Sequence, residues 1–215
     1  MEIIGSQILS QLLHAISQSL LIPVIIVLVL FVVYALISLG GFISEYSTRR
    51  KFKISNMEDL IRQLRNSTDF DQMKDIVKDF SIAQFYKDDL IKAIDTNEFS
   101  VETRKALASK LIEKEEIRME KSVEKTDTVV RIGPTLGLMG TLIPMGPGLA
   151  ALGAGDIQGL AQAIIVAFDT TVAGLAAATI SYVVSRVRKR WYEEDLSNLD
   201  VLITSTLEIV EEKLN

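Results

Sequence analysis

One carboxylate and three hydroxyls stand where the chain has almost no other polar chemistry. Between Arg131 and Arg186 the only charged residues are Asp156 and Asp169. Asp156 sits among Gly153, Gly155 and Gly159, a turn composition. Asp169 lies inside the run AIIVAFDTTVAGLAAATI, with Thr170 and Thr171 directly after it, and Thr141 occupies the preceding apolar run IGPTLGLMGTLIPMGPGLAAL. In hydrocarbon a carboxylate costs several kcal/mol unless it faces a polar cavity or a partner. Hydroxyl oxygens beside a carboxylate at membrane depth are the chemistry of an ion path. Thr141 is near the middle of residues 132–152 and Thr171 near the middle of residues 159–184, so the two reach similar depth from opposite directions. The expectation is that Thr141, Thr171 and Asp169 face one lumen, with Thr170 beside them. Thr can also simply bond its own helix backbone.

Other chemistries are poorly supplied. With no cysteine and only His14, disulfides, thiolate metal sites, a catalytic zinc and a Cys–His dyad have no residues to build on. GLMGTLIPMG lacks the Lys–Ser/Thr ending of a phosphate-binding loop. A net charge of −5 gives no case for nucleic acid. The chain is therefore expected to be no enzyme and to need no cofactor or metal.

The elements that must position these residues follow from charge segregation. From Ile3 to Ser44 nothing is charged apart from the titratable His14, whereas residues 56–125 are charge-dense. Residues 20–43, LLIPVIIVLVLFVVYALISLGGFI, exceed the roughly 20 apolar residues that cross a bilayer. A cleaved leader would start basic and carry a shorter apolar core, and MEIIGSQILSQLLHAISQ has no Lys or Arg. Pro23 falls in the first turn, where no helix donor is lost. The predicted organisation is an extracytoplasmic helix over 1–19, a span over 20–43, a cytoplasmic helical region over 44–127, a span over 128–152, an outer turn over 153–158, a span over 159–185, and a cytoplasmic helix over 186–215. The fold class is an all-α membrane protein with three transmembrane helices. The second and third have long cytoplasmic extensions beside a small helical cytoplasmic region.

Basic residues orient it. Arg49, Arg50, Lys51 and Lys53 follow the first span, Lys121, Lys125 and Arg131 precede the second, and Arg186, Arg188, Lys189 and Arg190 follow the third. The opposite flanks hold no Lys or Arg, which places the N-terminus outside and the C-terminus inside. Trp191 and Tyr192 suit an interfacial anchor.

Between the first two spans, helical stripes run through Met57, Leu60, Ile61 and Leu64, then Phe70, Met73, Ile76, Val77 and Phe80, then Phe85, Leu90, Ile91 and Ile94, which reads as core packing. Asn66–Thr68 and Asn97–Ser100 break the pattern, and Ser100 with Thr103 caps a long helix that runs on into the second span. Leu196, Leu199, Ile203, Thr206 and Val210 alternate three and four, which fits either a seam between subunits or packing within the chain.

Small residues recur every four positions in the second span, at Gly133, Gly137 and Thr141 with Gly140 beside them. The third span repeats the device at Ala167, Thr171, Gly174, Ala178, Ser181 and Ser185. In lipid such faces let helices approach closely, within a hairpin or between subunits. Pro144 and Pro147 are expected to kink or loosen the outer half of the second span.

PTLGLMGT followed by AIIVAFDTTVAGLAAATI resembles the proton-channel family of MotA, TolQ and ExbB, and the layout of one span, a cytoplasmic region and a two-span hairpin is similar to ExbB and TolQ. GLMGTLIPMGPGL resembles an archaeal branch. Thr141 matches the second-helix threonine of the family, and Thr171, Gly174 and Leu175 match its third-helix element. Val166 stands where ExbB-like members carry a glutamate, with Asp169 three residues on, and Pro144 replaces a frequent glycine. The resemblance implies a motor in the bilayer. Five copies would ring single-span ExbD- or TolR-like partners that supply a membrane aspartate, and proton flow would drive rotation. The rival reading from the residues alone is a scaffold that oligomerises through its small-residue faces without ion flux.

Reporters placed after Asn215 and near Asp95 are expected in the cytoplasm, and a tag before Met1 outside. Labelling of intact cells with a membrane-impermeant reagent measures this, and an outward C-terminal tag would overturn the orientation.

Overall fold

The computed structural model describes residues 2–48 and 54–214. The basic residues Arg49, Arg50, Lys51 and Lys53 lie outside the described residues. There the chain forms α1 (Glu2–Ser19), α2 (Leu21–Thr48), α3 (Ile54–Arg65), α4 (Phe70–Asp79), α5 (Gln84–Ile94), a 3-10 turn (Asp95–Glu98), α6 (Val101–Gly153) and α7 (Ile157–Leu214), with no strand among the described residues. Three stretches are long and apolar enough to cross a membrane: Ile8–Ser47, Val101–Gly153 and Ile157–Leu214. The protein is all-α, and its contacts divide it into two compact units that share α6 and α7.

The first unit comprises Met1–Ser47 and Val123–Val187. Here α2 packs on α6 through Val24, Leu28 and Ile143, and Ala35 meets Val129 of α6 and Ala177 of α7. Its other side leaves Ile22, Ile26, Leu30, Leu36 and Ile37 exposed, as a helix facing hydrocarbon requires. The end of α6 and the start of α7 are set by the turn glycines. Gly155 has φ +81°, and the N–H groups of Asp156 and Gly155 donate to the carbonyls of Ala151 and Leu152 at 2.9 and 3.0 Å. That is the paired closure of a helix ending on a left-handed glycine. Asp156 then caps α7, accepting from the Gly159 N–H at 2.9 Å.

α6 continues through Pro134, Pro144 and Pro147. Each proline lacks an N–H, so the carbonyl four residues back loses its helix donor. In lipid an unmet carbonyl costs several kcal/mol. The loosening expected at Pro144 and Pro147 is therefore specific: at Pro147 the deprived carbonyl belongs to Ile143, and Gln18 Nε2 of α1 donates to it at 3.1 Å.

The second unit comprises Thr48–Ser122 and Arg188–Asn215. Its core gathers Leu60 and Leu64 of α3, Met73 and Val77 of α4, Tyr86, Leu90 and Ile94 of α5, Ala108 of α6, and Leu199, Leu202, Ile203, Ile209 and Val210 of α7. Each fully buried Leu or Ile contributes about 1.5–3 kcal/mol. The three-and-four stripe of α7 thus lies in the core of its own chain. Asp69 caps α4 by accepting from the Gln72 N–H at 2.7 Å, and Ser100 accepts from the Thr103 N–H at the start of α6. The Tyr86 hydroxyl donates to the Asp195 carbonyl at 2.9 Å. Trp191, expected to anchor at the lipid boundary, is buried.

A buried carboxylate is paired within α5. Asp89 is 1% exposed, and Lys92 Nζ donates to its Oδ1 at 2.8 Å. This bond to Asp89 raises the Lys92 ammonium above its ordinary 10.5, against partial desolvation, with the charges of Asp89, Asp88 and Glu115 adding to it. A raised folded-state value means the pair's stabilisation is fully present below about pH 10.5 and is lost as pH climbs through the higher folded value. Lys92→Met is therefore expected to lower the melting temperature at pH 8. The gap to the parent chain should narrow as pH passes 10.5, read by circular dichroism melts in detergent.

Candidate functional site

In the first unit α6 and α7 meet backbone to backbone. A Cβ added at Gly174 would stand 2.6 Å from the Gly133 carbonyl oxygen, and one at Gly133 would stand 3.0 Å from the Gly174 oxygen and 3.4 Å from Ala178 Cβ. At Gly137 it would meet the Thr170 oxygen at 3.3 Å, and at Gly140 the Thr170 side chain at 2.5 Å. Nothing larger than glycine fits at Gly174 without moving backbone. The small faces read in the two spans are turned toward each other inside one chain.

This contact sets where the threonines lie. Thr170 is buried against Gly140, and its hydroxyl donates to the carbonyls of Val166 and Ala167 at 2.9 and 3.0 Å. Thr171 is half-buried opposite Gly137 and donates to the Ala167 carbonyl at 3.1 Å. Thr141 is half-buried one helical turn, about 6 Å, beyond Gly137, and donates to the Leu138 carbonyl at 2.7 Å. Each hydroxyl thus spends its one hydrogen on its own helix and keeps acceptor lone pairs. Such oxygens suit a cation or a hydronium and cannot themselves donate onward without turning.

Asp169 lies elsewhere. It is exposed, between the exposed apolar side chains of Ile165, Phe168 and Val172. Two residues along a helix turn about 200°, so Asp169 and Thr171 project some 160° apart. A single chain does not present Thr141, Thr171 and Asp169 to one lumen. Asp169 and Val166 point within about 60° of each other, three residues apart.

Sequence reasoning passed over a second polar set in this unit. Ser185 Oγ donates to Asp127 Oδ1, and Tyr34 and Thr126 share a hydrogen bond at 3.2 Å. Ser181, one turn before Ser185, is fully buried, and its hydroxyl has no partner among the described residues. Thr126 and Asp127 sit in EKTDTVV, where a hydropathy reading sees only the flank of a span. The Gln18 bond to Ile143 was likewise invisible, although Pro147 announces that some carbonyl four residues back needs a donor.

Residues 77–200, more than half of the chain, match the MotA/TolQ/ExbB proton channel family. They take in Thr141, Asp169, Thr170 and Thr171, all of α6, and α7 as far as Asp200. No curated protein matches the chain.

Gly174→Ala is expected to destabilise the hairpin by about 1–3 kcal/mol, as overpacking does. Gly40→Ala, inside α2 with nothing within 4 Å of its Cβ, should be neutral or gain up to about 1 kcal/mol from helix propensity. Thermal melts in detergent compare the two.

Proposed function

We propose a stator function on one premise: the chain belongs to the MotA/TolQ/ExbB proton channel family. It is a multi-pass membrane protein of a channel family. On our reading it is the ion-conducting subunit of an ExbB/TolQ-like motor, which couples ion-motive force to mechanical work through a single-span ExbD- or TolR-like partner. Five copies ring the partner in the cell membrane, with the N-terminus outside and the C-terminus in the cytoplasm. The partner's aspartate carries the ion, and this chain supplies the walls.

The observation that carries the reading is Asp169, exposed on an otherwise apolar helix face. Left against lipid it costs about 2.5–3.5 kcal/mol. That cost disappears if the face meets a wet lumen or another subunit. A passive scaffold accounts for the glycine contacts but leaves this carboxylate without a use. Because Asp169 and Thr171 project to different sides, the path is assembled from neighbouring chains. One contributes threonine oxygens as acceptors, and the next contributes the carboxylate that balances the ion's charge. Each charge crossing yields about 2.3 kcal/mol per 100 mV, so a mechanical step of any size draws on several ions.

Asp169→Asn keeps shape and hydrogen bonding and removes the charge. It is expected to leave the assembly intact and to lower ion uptake into vesicles holding the chain and its partner by at least about tenfold, or about 1.4 kcal/mol. Thr141→Val and Thr171→Val should also reduce flux. Full flux in Asp169→Asn would remove this residue from the mechanism.

A further inference from the structure

The second unit carries a cleft of about 540 Å³ between α6 and α7. Ala108, Ile112 and Leu207 give it an apolar lining, and Asp200, Glu208 and Glu211 make the α7 side acidic, with Lys105 at the α6 edge. Asp200 and Glu208 are exposed.

The rest of α6 carries the complement. Leu107, Lys110, Lys114, Ile117 and Lys121 are all exposed. At 100° per residue they fall within an arc of about 80°. Leu107 is 38% and Ile117 41% exposed, so two apolar side chains sit among three ammonium groups. By the same turn angle this arc lies about 190° round the helix from the residues that α6 gives to the cleft. Thus α6 offers one side to its own α7 and the opposite side, basic with apolar knobs, to solvent. Lys110 pairs with Glu113 at 2.8 Å and Lys114 with Glu115 at 3.4 Å. The first pair is exposed and contributes about 0–1 kcal/mol; Glu115 is buried and also pairs with Arg118 at 3.0 Å, so that carboxylate keeps a cation when the exposed Lys114 ammonium turns to another partner.

We propose that the occupant of the cleft is a second copy of this chain, which inserts the basic side of its α6 against the acidic wall of α7. Two different, complementary patches on opposite sides of one helix make a head-to-tail contact, the kind that closes into rings. A ring axis running along α6 keeps copies level. Leu107 and Lys110, in the same turns as Ala108 and Ile112, then meet Thr204, Leu207 and Glu208 of the neighbour. Helices from successive copies alternate α6, α7, α6, α7 round the ring. The inference rests on the oligomeric reading above and adds the seam that holds the copies together outside the membrane spans.

The chain has no cysteine, so introduced thiols are the only ones present. The test uses the full-length chain in membranes, carrying Lys110→Cys with Glu208→Cys and treated with a short bis-maleimide. A head-to-tail seam yields a ladder of covalent species on a denaturing gel, whose top rung counts the copies. Each single variant yields no ladder. Products confined to monomer, or dimers formed equally by the single variants, overturn the proposal. The second arm reverses charge: Lys110→Glu with Lys114→Glu should shift the oligomer toward monomer on native gels, and adding Asp200→Lys with Glu208→Lys should restore it. An unshifted oligomer, or no restoration by the swap, also overturns the seam. Ion flux measured on membranes that hold the same chain together with its single-span partner separates the two readings, since a ladder without flux faults the channel and flux without a ladder faults the seam.

Discussion

The carbonyl oxygen of Gly133 and the α-carbon of Gly174 exclude any side chain between them, and the rest of the first unit is arranged around that exclusion. In lipid there is no hydrophobic drive to bring two apolar helices together, so their attraction comes from close packing. Close packing needs small residues in step, which Gly133, Gly137 and Gly140 on α6 and Thr170, Gly174 and Ala178 on α7 supply. The same closeness leaves no room for water between the helices at these levels. Under the proposed function an ion would therefore run along the outside of the hairpin, where Asp169 is exposed. A closed hairpin thus leaves Asp169 on its outward face.

The same two helices live under different physics along their length. In the first unit α7 presents Gly174, Ala177 and Ala178 inward and Phe168, Val172 and Leu175 outward. In the second unit it reverses the sizes, with Leu199, Leu202, Ile203, Ile209 and Val210 inward and carboxylates outward. Burial from water stabilises the second arrangement in proportion to area, while the first gains nothing from large inward groups. Thr206 is fully buried in that second core because its hydroxyl donates to the Leu202 carbonyl at 2.7 Å, leaving little unmet polarity.

Spans, caps and core stripes were legible in the residues because each rests on local rules. Apolar length marks the spans, Ser100 with Thr103 marks the start of α6, and Asn66–Thr68 marks the gap between α3 and α4. Small-residue spacing marked the α6–α7 contact but could not say whether the partner was the same chain. The separation of Asp169 from Thr171 follows from the turn of a helix, yet matching depth along the axis suggested a common lumen, since depth and direction are independent coordinates. Gln18 to Ile143, Asp127 to Ser185, and the burial of Trp191 depend on contacts far apart in sequence, and no local pattern encodes them. The family match over residues 77–200 does not reach α1 or α2, where Gln18 and Tyr34 lie.

Gln18 also orders events in time. A nascent chain emerges from its N-terminus, and α1 and α2 are made long before Pro147 exists. When α6 is made with an Ile143 carbonyl that its own helix cannot serve, the residue whose amide meets it at 3.1 Å has already been synthesised. A break in one helix is thereby repaired by an earlier one. One side-chain amide thus fixes where α1 stands along α6, because only at that level does Pro147 leave Ile143 a carbonyl for Gln18 to meet.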